Sequence, residues 1–203
     1  MTNDLIKIIK ERRSVRRFTQ DPVDKEVIRE IIQAGRYAPS AENSQPWKFI
    51  VITNTDEIQQ LSRRIKEELQ KLIKRRWIAR FSLKELKDED TLRFLYAVSC
   101  TKEDTIFFHA PVLVFIITKD RLMYDESCAC CAQNMMLAAH ALGIGSCWIG
   151  FASALGLSQE MLTRLGVPET YHISAALVFG HPQEKPKKAS IRKIEADVIN
   201  WIE

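Results

Sequence analysis

A chain of 203 residues with 46% apolar content can bury one sizeable core, and a single domain over residues 1–203 is the expectation. Its net charge of +4 and pI near 8.8 are mild and argue by themselves for neither a nucleic-acid nor a membrane partner. There is no run of about twenty apolar residues, and Met1-Thr-Asn-Asp lacks a signal-peptide layout, so a soluble cytoplasmic protein is expected.

The first periodic segment is short. Leu5, Ile6, Ile8 and Ile9 predict one helix with a buried stripe. Where it ends, Arg12-Arg13-Ser14-Val15-Arg16-Arg17-Phe18 gathers four arginines and a serine around one valine. Guanidinium groups grip phosphate bidentately and serine adds a neutral hydrogen bond, which suits a phosphomonoester. A solvated basic face and contact with nucleic-acid phosphates are the competing readings.

Asp24 to Arg36 predicts a second helix with Val27, Ile28, Ile31 and Ile32 on one face. It leads into Ala38-Pro-Ser-Ala-Glu-Asn-Ser-Gln-Pro-Trp47, which sets two side-chain amides and small hydroxyls beside an indole. Such groups can meet the edge of a flat heteroaromatic ligand. They can equally cap a turn, with Asn43 and Gln45 bonding local backbone. Both readings stand at this point.

Phe49 to Thr53 is a strand, apolar enough to be buried on both faces. Asp56 to Trp77 predicts a long amphipathic helix with Ile58, Leu61, Ile65, Leu69 and Leu72 along one stripe and a solvated charged face. From Arg80 to Thr105 the pattern breaks into mixed charge and isolated aromatics. The aromatics of 76–81 and 105–109 would either form a lid or pack the long helix, the latter being the simpler expectation. Pro111 to Thr118 is a central strand. Asp125 to Leu142 is apolar nearly all round, a buried helix with Gly143 at its C′ position. A short helix from Ser158 is ended by Gly166 and Pro168, and Ile173 to Phe179 is another buried strand. A basic tail and the segment Ile194 to Ile202 close the chain.

Strands and helices alternate, but Gly143, Gly145 and Gly150 do not make G-x-G-x-x-G, and no P-loop occurs. A bound nucleotide phosphate would therefore be held by side chains. The five cysteines are an odd set, which argues for reduced thiols. Cys128, Cys130 and Cys131 match neither zinc nor ferredoxin spacing, and in an apolar helix they read as small buried hydrophobes. No metal site is expected. His109, His140, His172 and His181 are scattered without triad spacing, and His140 and His181 read as structural.

Four segments in order resemble the nitroreductase family of FMN-dependent oxidoreductases: Arg12 to Phe18 (R-x-S-x-R-x-F), Ala38 to Trp47 (A-P-S-x-x-N-x-Q-P-W), Ala132 to Gly150, and Val178 to Pro182. Residues of about 55 to 105 fall outside the match, a variable helical or lid excursion. The resemblance implies an α+β, three-layer fold, with a mixed, largely antiparallel sheet flanked by helices. It also implies an intertwined homodimer with FMN at the subunit interface. By the same resemblance Arg12, Arg13, Ser14 and Arg16 contact the FMN phosphate and ribityl chain. Pro39 belongs to the cofactor wall, Ser40 approaches from the second subunit, and Asn43 and Gln45 meet the ring or the polar chain. Trp47 reads as a core aromatic. Ser146 to Gly150, with Trp148 and Ile149, is a glycine-rich loop that lies against the ring. Arg192 lines up with a late phosphate contact, although Ser190 stands where the family is often basic. The chemistry implied is ping-pong hydride transfer from NADH or NADPH, through flavin, to a nitroaromatic, quinone or related acceptor. No side-chain nucleophile or acid–base pair is required. The alternatives are an FMN-binding or storage protein, or a reductive-dehalogenase-like relative, for which Glu85, Lys87 and Tyr96 would be only a faint match.

Overall fold

The computed structural model describes residues 4–74, 88–184 and 199–202. Helix α1 (Asp4–Glu11) and helix α2 (Lys25–Arg36) precede strand β1 (Lys48–Ile52) and the long helix α3 (Thr55–Lys74). Helix α4 (Glu89–Cys100), strand β2 (Val112–Lys119), helix α5 (Tyr124–Ala141) and strand β3 (Gly145–Trp148) follow. A 3-10 stretch (Gly150–Leu157), helix α6 (Gln159–Arg164) and strand β4 (Tyr171–Gly180) complete the described elements.

The strands form one sheet in the order β1-β2-β4-β3, every pair antiparallel. Strand period two sorts the side chains of β2 onto two faces. Leu113, Phe115 and Ile117 join Ile58, Leu61 and Ile65 of α3 in one core, while Val112, Val114 and Ile116 join Ile28 and Ile31 of α2 and Met135 of α5 in the other. This is the expected three-layer α+β arrangement. The close approach of α2 to α5 depends on Gly35, where a Cβ would meet the Met135 side chain at 2.5 Å.

Several boundaries came out as expected. Asp24 caps α2 by accepting the Glu26 N–H at 2.8 Å. Gly143 ends α5 at φ 75°, with Ile144 N–H reaching back to the Ala139 carbonyl at 2.8 Å in a Schellman closure. Trp47 is buried in the second core.

Four expectations are corrected. Strand β1 is not buried on both faces: among the described residues it pairs with β2 alone, and it leaves Lys48 and Val51 exposed. The stripe of α1 is not buried within one chain, because Leu5, Ile6 and Ile9 face outward. The broken pattern of mixed charge and isolated aromatics before Thr105 contains a regular helix, α4, N-capped by Asp88 through the backbone N–H and hydroxyl of Thr91, both at 2.7 Å. Its stripe is weak, with only Val98 and Ser99 buried, so periodicity did not reveal it. The glycine-rich segment expected as a loop at Ser146 is strand β3 at the other edge of the sheet.

The charged face of α3 is not wholly solvated either. Ser62, Lys66 and Gln70, spaced four apart, form a polar row on one face. They clasp residues 99–104: Ser62 Oγ donates to Asp104 at 2.6 Å and Gln70 Nε2 to the Ser99 carbonyl at 2.9 Å. Lys66 Nζ donates to the carbonyls of Thr101, at 3.1 Å, and Glu103. The expected aromatics at 76–81, Glu85, Lys87, the basic run at 185–188, Ser190 and Arg192 lie outside the described residues.

Candidate cofactor site

The arginine segment is an extended run stitched to the sheet. Ser14 bridges Ser146 in parallel, and Val15 N–H donates to the Ser146 carbonyl at 2.9 Å. Further on, Phe18 bridges Pro182, Thr19 N–H donates to the His181 carbonyl at 2.9 Å, and Gln183 N–H to the Arg17 carbonyl at 3.0 Å. The contact depends on Gly145, where a Cβ would lie 3.0 Å from three side-chain carbons of Val15.

Two cavities flank this seam. The smaller, of about 140 Å³, is lined by Arg12, Arg13, His140, Gly143, Gly145 and Ser146, among others. Nη1 of Arg13 donates to the carbonyls of Lys10 at 2.6 Å and Arg12 at 2.5 Å. The Nε of each of Arg12 and Arg13 is buried and has no hydrogen-bond partner among the described residues. Buried N–H groups of charged side chains are seldom left unpaired. An anion in this cavity would supply the missing acceptor. Burial depresses the His140 imidazole below its ordinary value; Glu11 opposes that shift, and Arg12 and Arg13 add to it.

The larger cleft, of about 550 Å³, is bounded by Arg16, Phe94, Phe108, Trp148, Gly150 and Phe151, with Cys147 and Ile149 also in its wall. Phe94 and Phe151 meet with ring centroids 5.8 Å apart. The Arg16 guanidinium lies over the Phe108 ring, 5.9 Å from its centroid. Burial pushes the Cys147 thiol up, opposed by Arg16, Ser14 and Arg12, which leaves it a neutral wall residue. Aromatic and aliphatic walls with one cation at the edge suit a flat ring that carries polar atoms on its rim.

The four-arginine cluster thus divides: Arg12 and Arg13 serve the small cavity, Arg16 the cleft, and Arg17 pairs with Glu184 at 3.2 Å on the surface. Ser146 to Gly150 spans both. Ser146 is buried at the small cavity, while Trp148, Ile149 and Gly150 line the cleft.

The loop from Ala38 to Trp47 stands elsewhere in the chain. Glu42, Asn43 and Gln45 all have positive φ, at 53°, 53° and 46°. Gln45 N–H donates to Ser40 Oγ at 3.0 Å and Gln45 Nε2 to Asn43 Oδ1 at 3.3 Å, so the turn is closed by its own polar groups, with the Asn43 and Gln45 side chains bonding each other rather than local backbone. Pro39 is exposed. Ala41 N–H donates to Ser127 Oγ at 3.2 Å, and Thr118 Oγ1 to the Pro46 carbonyl at 3.2 Å. Ser127 and His140 lie on the same helix, which separates the loop from the arginine cavity by about 20 Å at 1.5 Å per residue. The loop feeds β1, and β1 and β3 are opposite edges of the sheet. Within one chain, Pro39, Ser40, Asn43 and Gln45 therefore do not meet Arg12, Arg13 or the cleft.

Sequence patterns did not single out Phe94, Phe151 or His140 as site residues. The Phe107-Phe108 pair carried a usable signal, since neighbouring side chains point apart. Phe107 is fully buried in the core and Phe108 enters the cleft wall.

The Nitroreductase family model matches residues 9–181. A nitroreductase with bound FMN from Bacteroides fragilis is 30% identical, with both chains fully covered and a TM-score of 0.77. A second, also with bound FMN, from Desulfitobacterium hafniense shares the fold with a TM-score of 0.79 over both full chains at 24% identity. A Staphylococcus epidermidis protein provisionally named as an NAD(P)H nitroreductase is 30% identical over 189 residues, covering 85% of this chain and 84% of that one.

Proposed function

The chain belongs to the nitroreductase family, and from that premise we propose that it is an FMN-dependent oxidoreductase. It would take reducing equivalents from NADH or NADPH and deliver them to an electron-poor acceptor such as a nitroaromatic or quinone. Residues 1–203 would act as one FMN-binding domain whose variable excursion at about 55–105 shapes the acceptor side.

The observation that carries this proposal is the pair of buried, unpartnered Nε atoms on Arg12 and Arg13, next to an aromatic cleft edged by Arg16. The donor set fits FMN in kind. Arg12 and Arg13 would hold the phosphate, with Ser14 and Ser146 beside them. Trp148, Ile149 and Gly150 would back the ring and Arg16 would face its polar rim. FMN, when bound, supplies ping-pong hydride chemistry between the nicotinamide donor and the acceptor. The chain's task is then to bind, orient and exclude water. The buried Ile106, Cys147 and Ile149 give the cleft an apolar floor, and no side-chain acid or nucleophile need act there.

The loop at Pro39, Ser40, Asn43 and Gln45 would complete the site of a second copy in a homodimer. Its distance from the arginine cavity of its own chain supports that assignment. So do the outward apolar faces of α1 and of Trp201 and Ile202, which a partner would cover. Arg192 would add a further phosphate contact.

Anaerobic titration of the purified protein tests the proposal. The protein should be yellow, bleach with NADH or NADPH, and recover its colour on adding a quinone. Colourless protein that takes up no added FMN would refute it. Replacing Arg13 and Arg16 together with alanine should abolish FMN retention while circular dichroism stays unchanged.

A further inference from the structure

Two adjacent bulky residues stand in the left-handed region, Phe108 in the cleft wall at φ 59° and His109 next to it at φ 52°. Neither is glycine, so this backbone is held against local sterics. Asp104 holds it. Its Oδ1 accepts from the backbone N–H of Ile106 at 3.2 Å and Phe107 at 3.0 Å, and its Oδ2 from that of His109 at 3.0 Å. Asp104 is in turn fixed by the Ser62 hydroxyl on α3, with the Lys66 ammonium drawn to the adjacent carbonyls. From the other side Gln20 Nε2 donates to the His109 carbonyl at 3.2 Å. The result is that Phe107 enters the core and Phe108 turns its ring beneath Arg16. Among the described residues Arg16 makes no hydrogen bond or ion pair, so that ring is what orients its guanidinium.

We propose that Asp104 is a positioning residue, holding Phe108 as the platform that keeps the Arg16 cation in the cleft and so raises the reduction potential of bound flavin. The proposal rests on the FMN reading above. Two-electron reduction leaves the flavin more electron-rich, and a fixed guanidinium at its rim favours that form. Without the platform the long arginine side chain is free to turn into solvent.

Two variants test it in FMN-loaded protein by redox titration, FMN dissociation constant and thermal melting. Phe108→Leu keeps every Asp104 bond and removes the ring. Asp104→Asn keeps the size but sets an amide donor against the His109 N–H. Both should bind reduced flavin about tenfold less tightly relative to oxidised flavin, a fall in potential of about 30 mV for a two-electron couple. Phe108→Leu should do so at a near-normal melting temperature. An unchanged potential in flavin-loaded Phe108→Leu overturns the proposal, even if Asp104→Asn melts early, because Asp104 would then merely close a turn. If Asp104→Asn does not fold, Phe108→Leu decides alone. Wild-type protein that takes up no FMN overturns the functional reading and this proposal with it. Wild-type protein that binds FMN normally, with no shift in the variant, overturns this proposal only.

Discussion

A methyl group on Gly145 would lie 3.0 Å from Cβ, Cγ1 and Cγ2 of Val15, the residue whose N–H ties the arginine segment to β3. Valine is branched at Cβ and stiff about χ1, so it cannot swing away from the new group. Gly145→Ala should therefore loosen the seam on which both cavities depend. The expected cost is about 1–3 kcal/mol, as for other overpacked sites, read as a lower urea midpoint and weaker FMN retention. Val15→Ala in the same chain should recover most of the stability. If Gly145→Ala melts like the wild type, the seam is not tight.

Lys66 gives a pH dependence of known sign. Burial lowers its ammonium pKa below 10.5, and Asp104 and Glu103 only partly offset this. Between the folded value and 10.5 the unfolded chain binds more protons, so stability from this residue rises with pH across that window. At neutral pH the burial penalty is present in full. Lys66→Met removes the titration and leaves the Thr101 and Glu103 carbonyls unpaired, a loss of about 1–3 kcal/mol per group. Urea midpoints at pH 7 and near pH 10 should show the wild type gaining on Lys66→Met as pH rises. Parallel curves would mean that Lys66 is not depressed.

Much of the fold was legible because period and punctuation agreed. Ile28 and Ile31 face the core as spaced, Asp24 caps where it should, and Gly143 adopts the left-handed conformation expected of a C′ residue. The arginine run and the segment from Ser146 were singled out in the sequence, and both line cavities, Arg12, Arg13 and Ser146 the smaller one and Arg16, Trp148 and Gly150 the cleft. What stayed hidden was set by tertiary context. Periodicity could not tell that β1 is an edge, because an apolar run reads alike whether its residues are buried or, like Phe49, Ile50 and Ile52, only partly buried on a strand with one partner among the described residues. Helix α4 was missed because its exposed Phe94 and Tyr96 blur the stripe, although the Asp88–Thr91 cap marked its start. The sorting of Arg12 and Arg13 from Arg16 depends on β3 passing between two cavities, which spacing along the chain does not encode.

The cysteines should separate by reactivity. Cys128, Cys131 and Cys147 are buried, and burial raises all three thiols, Cys131 to about 12. Thiolate is the reactive form, so these should resist alkylation in the native protein. Cys100 and Cys130 are exposed. Iodoacetamide at pH 8 followed by peptide mass mapping should label Cys100 and Cys130 first, and the other three only in denaturant. Early labelling of Cys147 would show that the cleft wall opens.

His140 should link acid stability to the arginine cavity. Its folded pKa is lowered from 6.5, with burial the first cause, and Glu11, Arg12 and Arg13 are the charges that face it. Below 6.5 the unfolded chain takes up the proton first, so the flavin-free protein should lose stability as pH falls through that window. His140→Gln, which cannot charge, should lose less over the same range. A phosphate bound at Arg12 and Arg13 would favour the imidazolium. Added FMN should therefore shrink the difference between the two proteins, whereas riboflavin, which has no phosphate, should leave it in place. Melting curves from pH 7.5 to 5.5 with each ligand check this, and an equal effect of riboflavin would take the phosphate out of this cavity.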